Sequence, residues 1–202
     1  MSSFKAFRIH EENKKIVARF EQLTLDDLAA GDVVVRVTYS DINYKDALAA
    51  TGAGKILRRY PLVGGIDFAG VVESSNDARY SKGDSVLVTG CALSETHDGG
   101  YSEYMLAPVE ALVSIPDSLS DIDAAPLVCA GVNTFNALRR AGALPGDLVA
   151  VQGIGGLGHL GIQFANKFGY NVAAVGRGSH IESLAMKLGA DVYIDKIGRA
   201  HV

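Results

Sequence analysis

The spacing of apolar and polar positions divides the chain into two textures. Residues 1 to about 115 read as short strands between turns: Val34-Val35-Arg36-Val37-Thr38-Tyr39, then Phe68 to Glu73. Ser85 to Thr89 follows the turn Ser81-Lys82-Gly83-Asp84, and Tyr101 to Ala107 follows Asp98-Gly99-Gly100. That spacing predicts a small, partly closed β-barrel, interrupted by one helix from about Tyr44 to Ala50 that ends at Thr51-Gly52. From Pro116 the period lengthens. Ile122 to Val128 and Val132 to Ala141 read as helices, and Pro145-Gly146-Asp147 as a turn. A buried strand, Leu148 to Gln152, then runs into a glycine turn and a helix with Leu157, Leu160, Gly161, Phe164 and Phe168 along one face. Asn171 to Val175 is a second strand, Ser179 to Leu188 a helix capped by Ser179, and Asp191 to Ile194 a third strand. The order βαβαβ predicts half of a doubly wound parallel sheet, and an α/β fold class.

The glycine turn carries chemistry. Gly153-Ile154-Gly155-Gly156-Leu157-Gly158 is a Gly-x-Gly-x-x-Gly placed between strand and helix. The first glycine permits the tight turn, the second lets backbone N–H groups approach a pyrophosphate, and the third lets helix and strand close-pack. The helix N-terminus adds unpaired donors and the positive end of its dipole. Gly153, Gly155, Gly156, Leu157 and Gly158 are therefore candidate dinucleotide ligands. At the end of the second strand the residues are Gly176-Arg177-Gly178-Ser179, with no carboxylate to bond a ribose 2′-hydroxyl. Arg177 and Ser179 suit a 2′-phosphate instead, so NADP(H) is expected over NAD(H).

Composition narrows the classes. A 48% hydrophobic, 21% charged chain of net charge −4 is an ordinary globular composition with no electrostatic surface for nucleic acid. No apolar run reaches a membrane span, and the N-terminus has no signal-peptide core. Two cysteines, Cys91 and Cys129, fit a reducing compartment better than a disulfide framework, so a cytoplasmic location is expected.

A small barrel followed by a dinucleotide half-sheet resembles the medium-chain dehydrogenase/reductase superfamily, whose GroES-like domain precedes a Rossmann domain. The expected domains are 1–115 and 116–195. The motifs Asp41-Ile42-Asn43-Tyr44-Lys45-Asp46, Thr51-Gly52-Ala53-Gly54-Lys55-Ile56, Gly65-Ile66-Asp67-Phe68-Ala69-Gly70, Leu87-Val88-Thr89-Gly90 and Glu95-Thr96-His97-Asp98-Gly99-Gly100 resemble its zinc-independent quinone oxidoreductase and acrylyl-CoA reductase branch. Ala125-Pro126-Leu127-Val128-Cys129-Ala130-Gly131-Val132 and Gly155-Gly156-Leu157-Gly158-His159-Leu160 are similar to zinc-dependent alcohol dehydrogenases instead. A natural mosaic and two transcripts joined near Pro116 both account for this.

The resemblance implies roles. Tyr44 lies beside the nicotinamide end of the cofactor, Asn43 donates to cofactor or substrate, and Asp46 orients either or relays a proton. Against these stand core packing for Tyr44 and simple helix capping for Asn43 and Asp46. In the zinc branch the metal is held by a Cys near 43, a His-Glu pair near 66–67 and the Cys at 129. Here Asn43 and Ile66-Asp67 leave Cys129 without an imidazole partner, so no zinc is expected. Cys91 and His97 have no second pair to complete a site. Lys55, Arg58 and Arg59 form a basic patch that could meet coenzyme A phosphates or be a solvated loop, and His159 is expected to pack rather than titrate.

The leading expectation is an NADPH-dependent, zinc-independent reductase of an activated alkene, carbonyl or quinone, with a coenzyme A thioester among the small-molecule substrates. A zinc alcohol dehydrogenase and an inert cofactor-binding fragment are the rivals. A second βαβαβ half is missing, and a βαβ unit takes roughly 30 residues or more. The terminal Ile197-Gly198-Arg199-Ala200-His201-Val202 continues no pattern and matches a translated sequencing adapter, so 196–202 are expected to be a non-native tail on a fragment of a homo-oligomeric parent.

Overall fold

A computed structural model describes residues 3–195, so the expected tail at 196–202 lies outside the described residues. The chain falls into two compact units, Met1–Cys129 and Ala130–Val202.

The first unit opens with a hairpin that the sequence pattern did not single out, β1 (Phe4–Glu12) and β2 (Lys15–Leu23), paired antiparallel along their length. Its two-residue turn puts Asn13 and Lys14 at φ of 50° and 63°, the twist that matches right-handed strands. β3 (Val33–Tyr39) precedes α1 (Tyr44–Thr51), and the short β4 (Leu62–Val63) joins the edge of β1. β5 (Asp67–Ser75), β6 (Ser85–Thr89), β7 (Tyr104–Ala107) and β8 (Val113–Ser114) complete a five-stranded antiparallel sheet in the order β7-β3-β5-β6-β8. β7 starts three residues later than its expected Tyr101, because Tyr101 and Glu103 bond to strand β1 and β3 backbones in irregular fashion. Val33, Val35, Phe68, Val72, Val86, Val88 and Met105 fill the core beneath this sheet. That burial, not local propensity, stabilises strands this short.

After α2 (Asp121–Pro126), capped by Ser120, the chain widens into a π-helical stretch at Leu127–Gly131. The expected helix to Val128 is thus cut at Pro126.

In the second unit, α3 (Val132–Arg140) leads to β9 (Leu148–Gln152), α4 (Gly156–Lys167), β10 (Asn171–Gly176), α5 (Glu182–Lys187) and β11 (Val192–Asp195). The strands are parallel in the order β11-β10-β9, the Rossmann-like half-sheet expected from βαβαβ. Ile162, Ala165, Val172, Ala174 and Ala185 make its core. One expectation fails here. Ser179 does not cap the helix after β10; it begins a 3-10 turn, Ser179–Ile181, whose cap is Gly178 at φ 79°. A glycine in that region supplies the sharp reversal without a side-chain bond, and α5 starts only at Glu182.

Candidate functional site

In the first unit the motif residues converge on one buried corner. The Gly64-Gly65 and Gly99-Gly100 segments cross so closely that a Cβ on Gly99 would lie 2.1 Å from the Gly65 carbonyl oxygen. Asp98 fastens the crossing. Its Oδ1 accepts from the Val63 N–H at 2.8 Å, its Oδ2 accepts from Ala29 N–H at 2.7 Å, and Arg59 lies 4.0 Å away. Arg59, assigned to a possible phosphate patch, therefore has an internal carboxylate partner.

At the other side of the crossing sits an acidic cluster around the start of α1. Asn43 is the N-cap residue, and Asp46 one turn on accepts the Asn43 backbone N–H at 2.8 Å through Oδ2. The other oxygen of Asp46 accepts the Ile66 N–H at 3.1 Å. The capping function is thus real for this pair, and Asp46, 3% exposed, has both oxygens engaged by backbone. Asn43 has a second task. Its Nδ2 donates to Asp67 Oδ2 at 2.8 Å, while Asp67 Oδ1 accepts from the Asp41 N–H at 3.1 Å. A carboxylate only accepts, so the amide nitrogen faces Asp67, while the amide oxygen accepts from the Asp46 backbone N–H in the capping box. Asp67 is fully buried, and burial lifts its carboxyl to about 6. Burial also raises Asp46, Tyr101 and the half-buried Cys129, with the charge of Asp67 adding to the last.

Asp67 and Tyr101 were not singled out as site residues from the sequence. A carboxylate heading the apolar run Phe68-Ala69-Gly70-Val71-Val72 was the available signal, since such a group is buried only with a purpose. Tyr44 is 80% exposed on the first turn of α1, which removes core packing as its explanation. Lys45 pairs with Glu95 at 3.5 Å.

The second unit holds the glycine cradle. Gly153 has φ of 87°, which a side chain would strain, and its N–H donates to the Val175 carbonyl at 2.8 Å. A Cβ on Gly155 or Gly156 would meet nothing within 4 Å, whereas one on Gly158 would fall 1.7 Å from the Gly153 oxygen. The first opens the turn, the middle pair leaves empty space over the N-terminus of α4, and the last lets α4 press against the loop. Leu157 is more than half exposed, and its carbonyl accepts from Thr134 at 3.3 Å. A cavity of about 340 Å³ lies beside the loop, lined by Gln152, Gly153, Ile154, Gly176, Arg177 and Ile181 among others. Arg177 is exposed and has no hydrogen bond or ion pair among the described residues, while Ser179 is exposed beside it. Gly176 and Gly178 serve the loop itself. Tyr193 fills the space a Gly176 side chain would need, and its hydroxyl donates to the Gly178 carbonyl at 2.8 Å. His159 is half-buried against Gln163, with its Nδ1 3.2 Å from the amide.

No group of three or more His, Cys, Asp and Glu that could hold a metal occurs among the described residues, nor any helix long and apolar enough to cross a membrane.

Residues 29–117 match the alcohol dehydrogenase GroES-like domain family. The chain is 37% identical over 191 residues to a probable acrylyl-CoA reductase, AcuI, of Escherichia coli, covering 92% of this chain and 59% of that protein. It is 53% identical over 100 residues to alcohol dehydrogenase patD of Aspergillus clavatus, covering 50% of this chain and 26% of that one. The yhdH oxidoreductase of Salmonella enterica, solved in complex with NADP, superposes with a TM-score of 0.89 at 38% identity, over 95% of this chain and 61% of its own. Both resemblances read from the motifs are present among these relatives. The chain spans 59% of the length of the Escherichia coli protein and 61% of the Salmonella one.

Proposed function

We propose that the chain is an oxidoreductase of the medium-chain dehydrogenase/reductase type, whose GroES-like domain family matches residues 29–117, and that it binds NADPH and reduces an activated alkene, carbonyl or quinone without zinc. The observation that carries the reading is the glycine loop: positive φ at Gly153, open space at Gly155 and Gly156, and close packing at Gly158. Three separate requirements of a dinucleotide cradle fall to different glycines of the loop. The backbone N–H groups of Gly155, Gly156, Leu157 and Gly158 hold the pyrophosphate, and Arg177 with Ser179 meets the ribose 2′-phosphate. Gly176 and Gly178 shape that loop. The Salmonella neighbour was solved with NADP, which supports the cofactor class.

When bound, the nicotinamide supplies the hydride. The chain's own residues do the rest. Tyr44, exposed at the α1 N-terminus, packs against the nicotinamide end, and Asn43 presents its amide to cofactor or substrate in an orientation fixed by Asp67. Asp46 keeps the first turn of α1 in place through its two backbone bonds. Zinc does not suit this corner. The Asn43 amide occupies one oxygen of Asp67, a backbone N–H the other, and the Cys129 thiol is pushed towards its neutral form. Activated alkenes of the acrylyl thioester type are the substrates the Escherichia coli relative suggests, and the cytoplasm suits cysteines that form no disulfide.

Titration of the chain with NADPH, followed by cofactor fluorescence, tests the proposal, together with metal analysis of the purified protein. A saturable fluorescence change and no stoichiometric zinc are expected. An unchanged NADPH signal, or zinc at one equivalent, overturns it.

A further inference from the structure

A second cavity, of about 450 Å³, lies wholly within the first unit, between α1 and the β1–β2 hairpin. Its size falls within the range of small-molecule pockets. One wall is aromatic. Phe7 meets Phe20 edge-on at 5.3 Å between ring centroids and Tyr101 at 6.2 Å. The opposite wall is α1, which contributes Asp46, Ala47 and Ala50. These share a helix face with Asn43, since they follow it by three, four and seven residues. The cavity therefore begins at the corner already described and is kept open by two alanines where larger side chains would fill it.

Its polar groups are already committed. Ser40 donates its hydroxyl to the Asp67 carbonyl at 2.6 Å, and Tyr101 donates to the Asp41 carbonyl at 3.0 Å. Asp46 brings only a carboxyl whose two oxygens take backbone N–H groups. No lysine, arginine or histidine lines the cavity among the described residues; Lys5 Nζ lies over the Phe20 ring at 4.2 Å. An anion placed here would find no free donor and would face a buried carboxyl, whereas a flat apolar ring would meet edges and faces of three aromatic side chains.

We infer that this cavity receives the uncharged, ring-sized apolar body of the unsaturated substrate, an aryl enone or a quinone, and rejects a substrate that carries a carboxylate or phosphate there. The inference rests on the reductase reading above and narrows it away from short acyl thioesters, whose acyl part would leave most of the space empty.

The test uses the intact chain labelled with ¹³C at alanine methyls. The probes are 4-phenyl-3-buten-2-one and cinnamate, which share ring and alkene but differ in charge. The ketone should shift the Ala47 and Ala50 methyl signals saturably, and cinnamate at equal concentration should shift neither. Ala50→Phe should weaken ketone binding at least tenfold. If that variant fails to fold, Ala47→Phe, at the more exposed of the two cavity-lining alanines, serves in its place and should weaken binding likewise. Unmoved methyl signals, equal binding of cinnamate, or ketone affinity unchanged in the folded variant each overturn the inference. NADPH titrated in parallel separates the two readings. Ketone binding without NADPH binding leaves the cavity standing and removes the reductase; NADPH binding without ketone binding does the reverse.

Discussion

The buried corner of the first unit and the glycine loop of the second use the same residue type for opposite ends. Around Gly99 and Gly100 the missing side chains are replaced by other backbone, with the Gly65 oxygen 2.1 Å from the position a Gly99 Cβ would take. Around Gly155 and Gly156 they are replaced by nothing within 4 Å. The first arrangement seals a set of carboxyls and amides into fixed bonds. The second leaves donors facing empty space. At Gly99 and Gly100 the crowding supports the fold, and at Gly155 and Gly156 the open space lies between a strand and a helix N-terminus, where a dinucleotide would fit.

The largest expected effect tests the crowded side. Gly99→Ala drives a methyl group into a carbonyl that cannot rotate away, so urea unfolding should show a loss of about 3 kcal/mol or more. A loss under about 1 kcal/mol would mean the crossing is soft, and the contrast with the open loop would fail.

The sealed corner should also be visible in pH. Asp67 titrates near 6 in the folded chain against 3.8 for an ordinary aspartate. Between those values the folded state holds a proton that the unfolded state has released, so stability is highest below about 4 and falls as pH rises towards 6. The fall attributable to this group is at most about 3 kcal/mol. Asp67→Asn should remove most of that slope in unfolding curves recorded across the window. A slope unchanged in the variant would assign it to Asp46, which is shifted in the same direction.

On the open side the effects move from stability to binding. Gly155→Val should unfold within about 1 kcal/mol of the parent, because a Cβ there meets nothing within 4 Å. NADPH affinity by fluorescence should nevertheless fall at least tenfold. The smallest and most selective effect belongs to Arg177→Ala. It should weaken NADPH about tenfold, the order of one charge-assisted phosphate contact, and leave NADH nearly unchanged. Equal losses for both nucleotides would refute the 2′-phosphate role.

The two regions also differ in how far the sequence disclosed them. The second unit was readable because its signals are local. Leu148 to Gln152, the glycine turn and the helix after it are contiguous, and each lies where the pattern put it, although the strand, expected to be buried, ends the described sheet with Leu148, Ala150 and Gln152 exposed. Its misreading, Ser179 as a cap, came from favouring a hydroxyl over the neighbouring Gly178, whose positive φ makes the turn. In the first unit the helix at Tyr44 and the strands at Val33, Asp67 and Ser85 were legible, and Asn43, Tyr44 and Asp46 were named as candidates, but their partners Asp67 and Tyr101 were not. Asn43 and Asp67 are 24 residues apart, and the aromatic wall of the cavity joins Phe7, Phe20 and Tyr101. No window of sequence holds such a set together. The hairpin β1–β2 escaped notice because its turn, Asn13-Lys14, lacks the glycine that usually announces it.

Asp98 has a temporal consequence. Its carboxylate reaches back 69 residues to Ala29 and 35 to Val63, so those two bonds close nested loops at a single point. On a ribosome that knot cannot tie until residue 98 has emerged, by which time the β1–β2 hairpin, a neighbour-to-neighbour structure, has long been free to form. The bonds among Asn43, Asp46, Ile66 and Asp67 need nothing beyond residue 67, so it is the crossing at Gly99, and not the acidic cluster beside it, that waits for one aspartate.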